Sequence, residues 1–184
     1  MAVVARRDVE TLHRELIERN IDLLIAGRFL PMADERLGFE FLFDDSYVVA
    51  TGAQSPWLRR RKIELVELLN ESWVLPPPPE SGLSVAMEAF RASGLDYPRT
   101  TVVTHSSHVR LSLLATGRFL AIFSASALRF PTGRSEIKVL PIELPVAPVP
   151  NVIITLKNRT LSPAAQLFIE HAREVAKPLA RTKR

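Results

Sequence analysis

No cysteine occurs anywhere in the 184-residue chain. That excludes disulfide staples, thiolate metal sites and a cysteine nucleophile, and it fits a reducing cytoplasm. The N-terminus lacks the charged, then long apolar, then small-residue order of a secretory signal. No apolar run approaches the roughly 20 residues needed to span a bilayer, so a cytoplasmic setting without membrane attachment is expected. A glycine-rich phosphate loop is missing, and Ser124 and Ser126 lack the flanking glycines of a nucleophile elbow. With no nucleophile–base constellation, neither an enzyme nor a cofactor is expected. His105 and His108 stand three apart, but no carboxylate or further imidazole lies near them in sequence. A zinc site wants more ligands than two, so no metal is expected either. His13 and His171 fall on ordinary helices.

What is present points to a folded domain. Hydrophobic residues make up 47% and charged residues 24%, enough to bury a core and to exclude wholesale disorder. The length suits one compact unit or two small lobes. The formal charge is +4, much of it in Arg59-Arg60-Arg61-Lys62 and Arg181-Thr182-Lys183-Arg184. Phosphate-binding surfaces gather cations on one face, often with aromatics between them. Only Trp57 lies near the first run and the second is a tail, so both are expected to be solvated.

Helical and extended segments alternate. Asp8 caps a first helix that buries Leu12, Leu16 and Ile17, and Asn20 supplies the left-handed residue that ends it. Ile21 to Ala26 is a strand stopped at Gly27. Phe39 to Phe43 and Tyr47 to Ala50 are strands separated by Asp44-Asp45-Ser46, Leu65 to Leu69 is a short helix, and Trp73 to Leu75 a short strand. Pro76 to Pro79 form a stiff loop, because proline lacks the N–H that helix and sheet require. Leu83, Ala86, Met87 and Phe90 then recur at helical spacing up to Gly94. Thr100 to Thr104 is extended. Ser106 caps a helix with Val109, Leu113 and Leu114 inward, closed by Gly117. Phe119 to Phe123, Ile137 to Leu140 and Val152 to Leu156 are strands. Ser162-Pro163 opens a last helix with Leu167, Phe168, Ala172, Val175 and Leu179 as its apolar stripe. This alternation predicts an α/β protein with mainly parallel sheets.

Several runs resemble the effector-binding domain of LysR-type transcriptional regulators. Leu12 to Ile25 looks like the family's leucine-rich helix and "Asp-Leu-apolar-Ile" strand. Phe41 to Ala50 followed by Gln54-Ser55-Pro56-Trp57 is similar to its strand pair and "His-Pro-Leu" turn. Leu65 to Leu69, Trp73 to Leu75 and the proline loop with Ser81-Gly82 match its next block. Thr116 to Ile122 resembles its "apolar-Gly-x-Gly-Ile" step, and Leu161-Ser162-Pro163 with Phe168-Ile169 closes the match. The runs Arg91 to Pro98 and Leu156 to Gln166 look closer to the PcaQ/GbpR-like subgroup, which regulates aromatic-acid and sugar catabolism.

The resemblance implies a two-lobed periplasmic-binding-protein-like fold (type 2) with two crossover strands. Residues 1–50 and 151–184 would form the first lobe and 51–150 the second. A small-molecule effector, a carboxylate or an aromatic or sugar acid, would bind between them, in line with ligand binding at strand carboxyl ends in open α/β sheets. A homo-dimer or tetramer is implied as well. Ala2-Val3-Val4-Ala5 aligns with the family's second strand, so the first strand and helix of lobe I are expected to be missing, along with the winged helix-turn-helix. DNA recognition is then expected only through that missing part, effector affinity is expected to be weak, and self-association is favoured. A transporter solute-binding protein shares the architecture and is the alternative.

The candidate effector residues follow from position. Ser81, Gly82, Leu83 and Ser84 lie between a strand and a helix N-terminus, where free N–H groups favour an anion; an ordinary helix cap is the competing reading. Thr104, His105 and Ser106 occupy the equivalent place after the next strand. Arg6, beside Arg7, could pair with an acid, against the plainer reading of a solvated turn. Where the family has a second glycine this chain has Arg118-Phe119, and Phe123-Ser124 replaces apolar-Pro. Both changes are expected to narrow or reshape the cleft.

Overall fold

The structure, a computed structural model, describes residues 9–27, 34–77, 84–129 and 136–180. In chain order the elements are α1 (Val9–Ile17), β1 (Leu23–Gly27), β2 (Leu37–Asp45), β3 (Tyr47–Gly52), β4 (Trp73–Leu75), α2 (Val85–Ala92), β5 (Thr100–Val103), α3 (Ser107–Ala115), β6 (Ala121–Ser124), α4 (Ala125–Arg129), β7 (Ile137–Val139), β8 (Val149–Leu156) and α5 (Pro163–Ala180). Two 3₁₀ turns, Pro56–Arg59 and Leu65–Leu68, lie between β3 and β4; the second stands where a short helix was expected. Contacts divide the chain into Met1–Asp45 with Pro148–Arg184, and Ser46–Ala147. The sequence places these limits at 50 and 150. The first limit precedes β3, which pairs entirely with β6 and β7, and the second precedes β8, which pairs with β1 and β2.

In the first unit β8 lies between β1 and β2 and runs antiparallel to both. Neighbouring residues of a strand point to opposite faces, and the sheet is clothed accordingly. Leu24, Leu37, Val152 and Ile154 bury against Leu12 and Leu16 of α1. Leu23, Leu42 and Ile153 bury against Ala165, Ile169 and Ala176 of α5. Helix α1 ends in a Schellman motif, with Asn20 N–H donating to Glu15 O (2.9 Å) and Arg19 N–H to Leu16 O (3.1 Å). The left-handed residue is Arg19 (φ 64°) rather than Asn20. Strand β2 continues through Asp44 and Asp45, so only Ser46 separates it from β3. The stripe of α5 is rotated from the expected one: Leu167 and Val175 are exposed, and the small Ala165 and Ala176 face the sheet.

In the second unit β4 pairs parallel with β5, and Trp73 bridges Leu120 in parallel at the entrance to β6. Val74 N–H donates to Leu120 O (2.9 Å) and Leu120 N–H to Ser72 O (2.8 Å). Strand β6 is antiparallel to β3, and β3 to β7. The spatial order is therefore β5-β4-β6-β3-β7. Trp73, Leu75, Leu120 and Ile122 bury with Ala86, Ala89 and Phe90 of α2 on one face. Val74, Ala121 and Phe123 bury with Leu111 and Leu114 of α3 on the other. Trp73 is fully buried, donates Nε1–H to Leu68 O (2.8 Å) and meets Phe90 edge-on, with ring centroids 5.5 Å apart. A Cβ on Gly52 would collide with Leu114 O and Gly117 N, so glycine there admits the end of α3.

Four of the six neighbouring strand pairs among the described residues, counting the parallel β4–β6 bridge, are antiparallel, against the mainly parallel sheets expected. Alternation along the chain counts strands but does not say where a later one inserts. Strand β8 inserts between two earlier strands in the reverse direction, and β3 takes β6 and β7 as antiparallel neighbours. The parallel core is confined to β5-β4-β6.

Candidate functional site

Because β4, β5 and β6 run parallel, their carboxyl ends lie at one edge of the second unit. Strand β4 sends its connection to β5 on one side, and β5 sends its own across to β6 on the other. A reversal of this kind opens a crevice outside the strand ends, where α/β proteins bind ligands. Leu75 at the end of β4 accepts the Thr104 N–H at 3.0 Å, fixing the β5–α3 turn beside the β4 exit. Each exit leads into a capped helix. Ser84 is the N-cap of α2 and accepts Met87 N–H at 3.1 Å, and Ser106 is the N-cap of α3 and accepts Val109 N–H at 3.3 Å. Thr104 Oγ1 in turn accepts Ser106 N–H at 3.1 Å.

The Ser84 and Ser106 hydroxyls act as helix caps, for Ser84 the competing reading of its motif, while Thr104 orders the turn before α3. Capping leaves other donors: the first N–H groups of α2 (Val85, Ala86) and of α3 (Ser107, His108) find no acceptor among the described residues. A helix N-terminus concentrates partial positive charge on such groups. His105 and His108 are exposed. Ser81, Gly82, Leu83 and Arg6 lie outside the described residues, so Ser84, Thr104, His105 and Ser106 are the site residues with a described place.

One residue at this edge was not anticipated. Val109, expected inside, is 41% exposed, while Arg110 is 3% exposed. Its guanidinium carbon lies 4.2 Å from the Phe123 ring centroid, Nη1 donates to Ile122 O (3.3 Å) and Nη2 to Ser107 Oγ (3.5 Å). A buried cation stacked on an aromatic face thus sits under the first turn of α3, beside the end of β6. The signal was available: Ser107, Arg110, Leu111 and Leu114 follow helical spacing, but a search for apolar residues passes over an arginine. Arg118 behaves oppositely. It is exposed and follows the C-terminal end of α3, so it does not narrow the strand-end crevice. A separate open groove of about 590 Å³ is lined by Lys62–Val66, Ser93, Leu95, Pro141–Glu143 and Pro145; it includes no residue of the strand-end turns.

Residues 4–177 match the family described as LysR substrate binding domain. The chain belongs to that family. Among curated proteins the LysR domain is similar to the transcriptional dual regulator GltC of Bacillus subtilis (strain 168), 25% identical over 152 residues. That match covers 83% of this chain and 50% of GltC, so the chain spans about half the length of the curated relative. Among solved structures it is similar to the Synechocystis PCC6803 CcmR regulatory domain in complex with 2-PG (TM-score 0.71, 20% identity, 91% of this chain and 79% of that one). It is also similar to the BenM effector binding domain with its effector benzoate (TM-score 0.69, 21% identity, 97% and 79%). The fold is thus the two-lobed, periplasmic-binding-protein-like α/β fold of LysR effector domains, and these relatives are regulators rather than enzymes. Among the described residues no helix is long and apolar enough to cross a membrane.

Proposed function

We propose that this LysR domain is the effector-sensing part of a transcription regulator and takes a small organic acid at the strand-end turns of its second unit. The observation that carries the proposal is the parallel β5-β4-β6 arrangement, which brings the capped starts of α2 and α3 to one edge with Arg110 buried beneath. Ser84, Thr104 and Ser106 order the turns, the N–H groups of Ser107 and His108 face the acid, and Arg110 supplies fixed positive charge behind them. Ser81, Gly82, Leu83 and Arg6, outside the described residues, are proposed as effector-binding residues from the sequence alone. Benzoate, the effector of BenM, is a carboxylate, which supports that ligand class. Family membership also favours a regulator over a transporter solute-binding protein. The PcaQ/GbpR-like resemblance of Arg91 to Pro98 and Leu156 to Gln166 narrows the proposal to aromatic or sugar acids.

The test is effector-dependent transcription by the full-length regulator. Ser81→Ala with Thr104→Ala is expected to shift the dose response to higher effector concentration while leaving DNA binding intact. An unchanged dose response would remove both residues from the site.

A further inference from the structure

Four cations gather on the second unit around the turn that follows β3. In the basic run Arg59 ends the 3₁₀ turn, Arg60 is extended (φ −86°, ψ 137°) and Arg61 follows at a bend. Arg60 Nη2 donates to Glu67 Oε1 at 2.8 Å and Lys62 Nζ lies 3.5 Å from Glu64 Oε1. Both carboxylates belong to the 3₁₀ turn Leu65–Leu68 and its cap. Arg59 and Arg61 are exposed and make no ion pair among the described residues. Arg118 joins them from the far end of α3. Its neighbour Gly117 lies against Gln54 and Ser55, and the carbonyl of its other neighbour Phe119 accepts Thr51 Oγ1–H at 3.0 Å. Lys138, also exposed, stands across from Thr51 in the β3–β7 pairing. One exposed carboxylate, Glu136, lies at the same turn, where its carbonyl accepts Ala53 N–H at 2.6 Å.

We propose that Arg59, Arg61, Arg118 and Lys138 form a face that contacts the phosphate backbone of duplex DNA without reading its sequence. The proposal rests on the regulator reading, which brings the domain close to DNA, and is independent of the effector site. One feature favours nucleic acid over an acidic protein surface. Protein interfaces are anchored by aromatic or aliphatic groups buried at their centre. Here the aromatics beside the cations, Trp57 and Phe119, are partly buried against the core clusters, with the Arg60 guanidinium 5.9 Å over the Trp57 ring. The planar fork of arginine fits phosphate oxygens, though it fits carboxylates equally. Such contacts bind weakly, release counterions and lose affinity steeply with salt.

The experiment is fluorescence anisotropy of a labelled duplex of arbitrary sequence, titrated with the 184-residue chain over a series of potassium chloride concentrations. Binding is expected at low salt. The variant Arg59→Gln/Arg61→Gln/Arg118→Gln/Lys138→Gln is expected to lower the slope of log K against log salt by about 3 to 4, at roughly 0.9 per lost phosphate contact. All four positions are exposed, and circular dichroism checks that the variant folds. A charge-matched control, Arg14→Gln/Arg91→Gln/Arg99→Gln/Lys157→Gln, is expected to keep the wild-type slope. The proposal is overturned if the wild type does not bind, if the control loses as much as the variant, or if deleting residues 181–184 abolishes binding while the variant retains it. Equal displacement of DNA by polyglutamate would assign the face to an acidic protein and overturn it as well. An anion titration at the α3 turn that is unaltered in the variant separates this result from the fate of the effector proposal.

Discussion

Arg19 carries a left-handed backbone, φ 64°, at the position of the α1 Schellman motif that glycine ordinarily fills. The strain of that conformation costs an L-residue about 1–2 kcal/mol, whereas glycine loses roughly 0.5–1 kcal/mol more chain entropy on folding. Arg19→Gly is therefore expected to stabilise the chain by about 0.5–1 kcal/mol in urea unfolding; a loss of stability would show that the arginine side chain contributes more than its backbone costs. The sequence points to Asn20 because asparagine tolerates φ > 0 better than arginine does. Hydrogen bonding decides otherwise, since the N–H of Asn20 is the one that reaches back to Glu15. Arg110 illustrates the same limit. Its helical position is internal, its charge suggests surface, and only the Phe123 ring and the Ile122 carbonyl explain how it is accommodated.

At the scale of elements, β2 and α5 are joined across solvent by Glu40 and Arg173, whose two hydrogen bonds measure 2.6 and 2.8 Å. The Arg173 guanidinium holds the Glu40 carboxyl below its ordinary range, against an opposing effect of burial. A carboxyl whose folded-state pKa is depressed stabilises the fold at neutral pH, and that contribution disappears as pH falls through the folded-state value. Both side chains are about half exposed, so solvent screening limits the pair to less than about 1 kcal/mol. Glu40→Gln is expected to lose this much at pH 7 in urea, where ionic strength stays low, and to converge with wild type in acid. An equal loss at both pH values would assign the effect to packing. The elements themselves were largely legible. Trp73 to Leu75, Thr100 to Val103 and the Ser106 cap stand where β-branched residues, prolines and capping hydroxyls put them. The stripe of α5 was not, because Ala165 and Ala176 are buried for their small size, and a pattern of large apolar residues selects Leu167 and Val175 instead.

At the scale of the molecule, the α/β class was readable from alternation, but strand order was not. Pairing depends on which strand returns to fill a gap, and that is settled by contacts distant in sequence, such as Ile153 against Ile25 and Glu40. The candidate site shows the same division. Its turns could be located from a strand followed by a capping hydroxyl. Their convergence depends on β4, β5 and β6 being parallel neighbours, and its buried charge depends on the packing of α3. The central claim, that this edge receives a small acid, is tested most directly by an amide NMR titration of the ¹⁵N-labelled chain with benzoate and a panel of sugar acids. The predicted result is saturable shifts at Val85, Ala86, Ser107 and His108 and at the Arg110 side chain, for at least one acid and not for its amide. Shifts confined to other surfaces, or none with any acid, would contradict it.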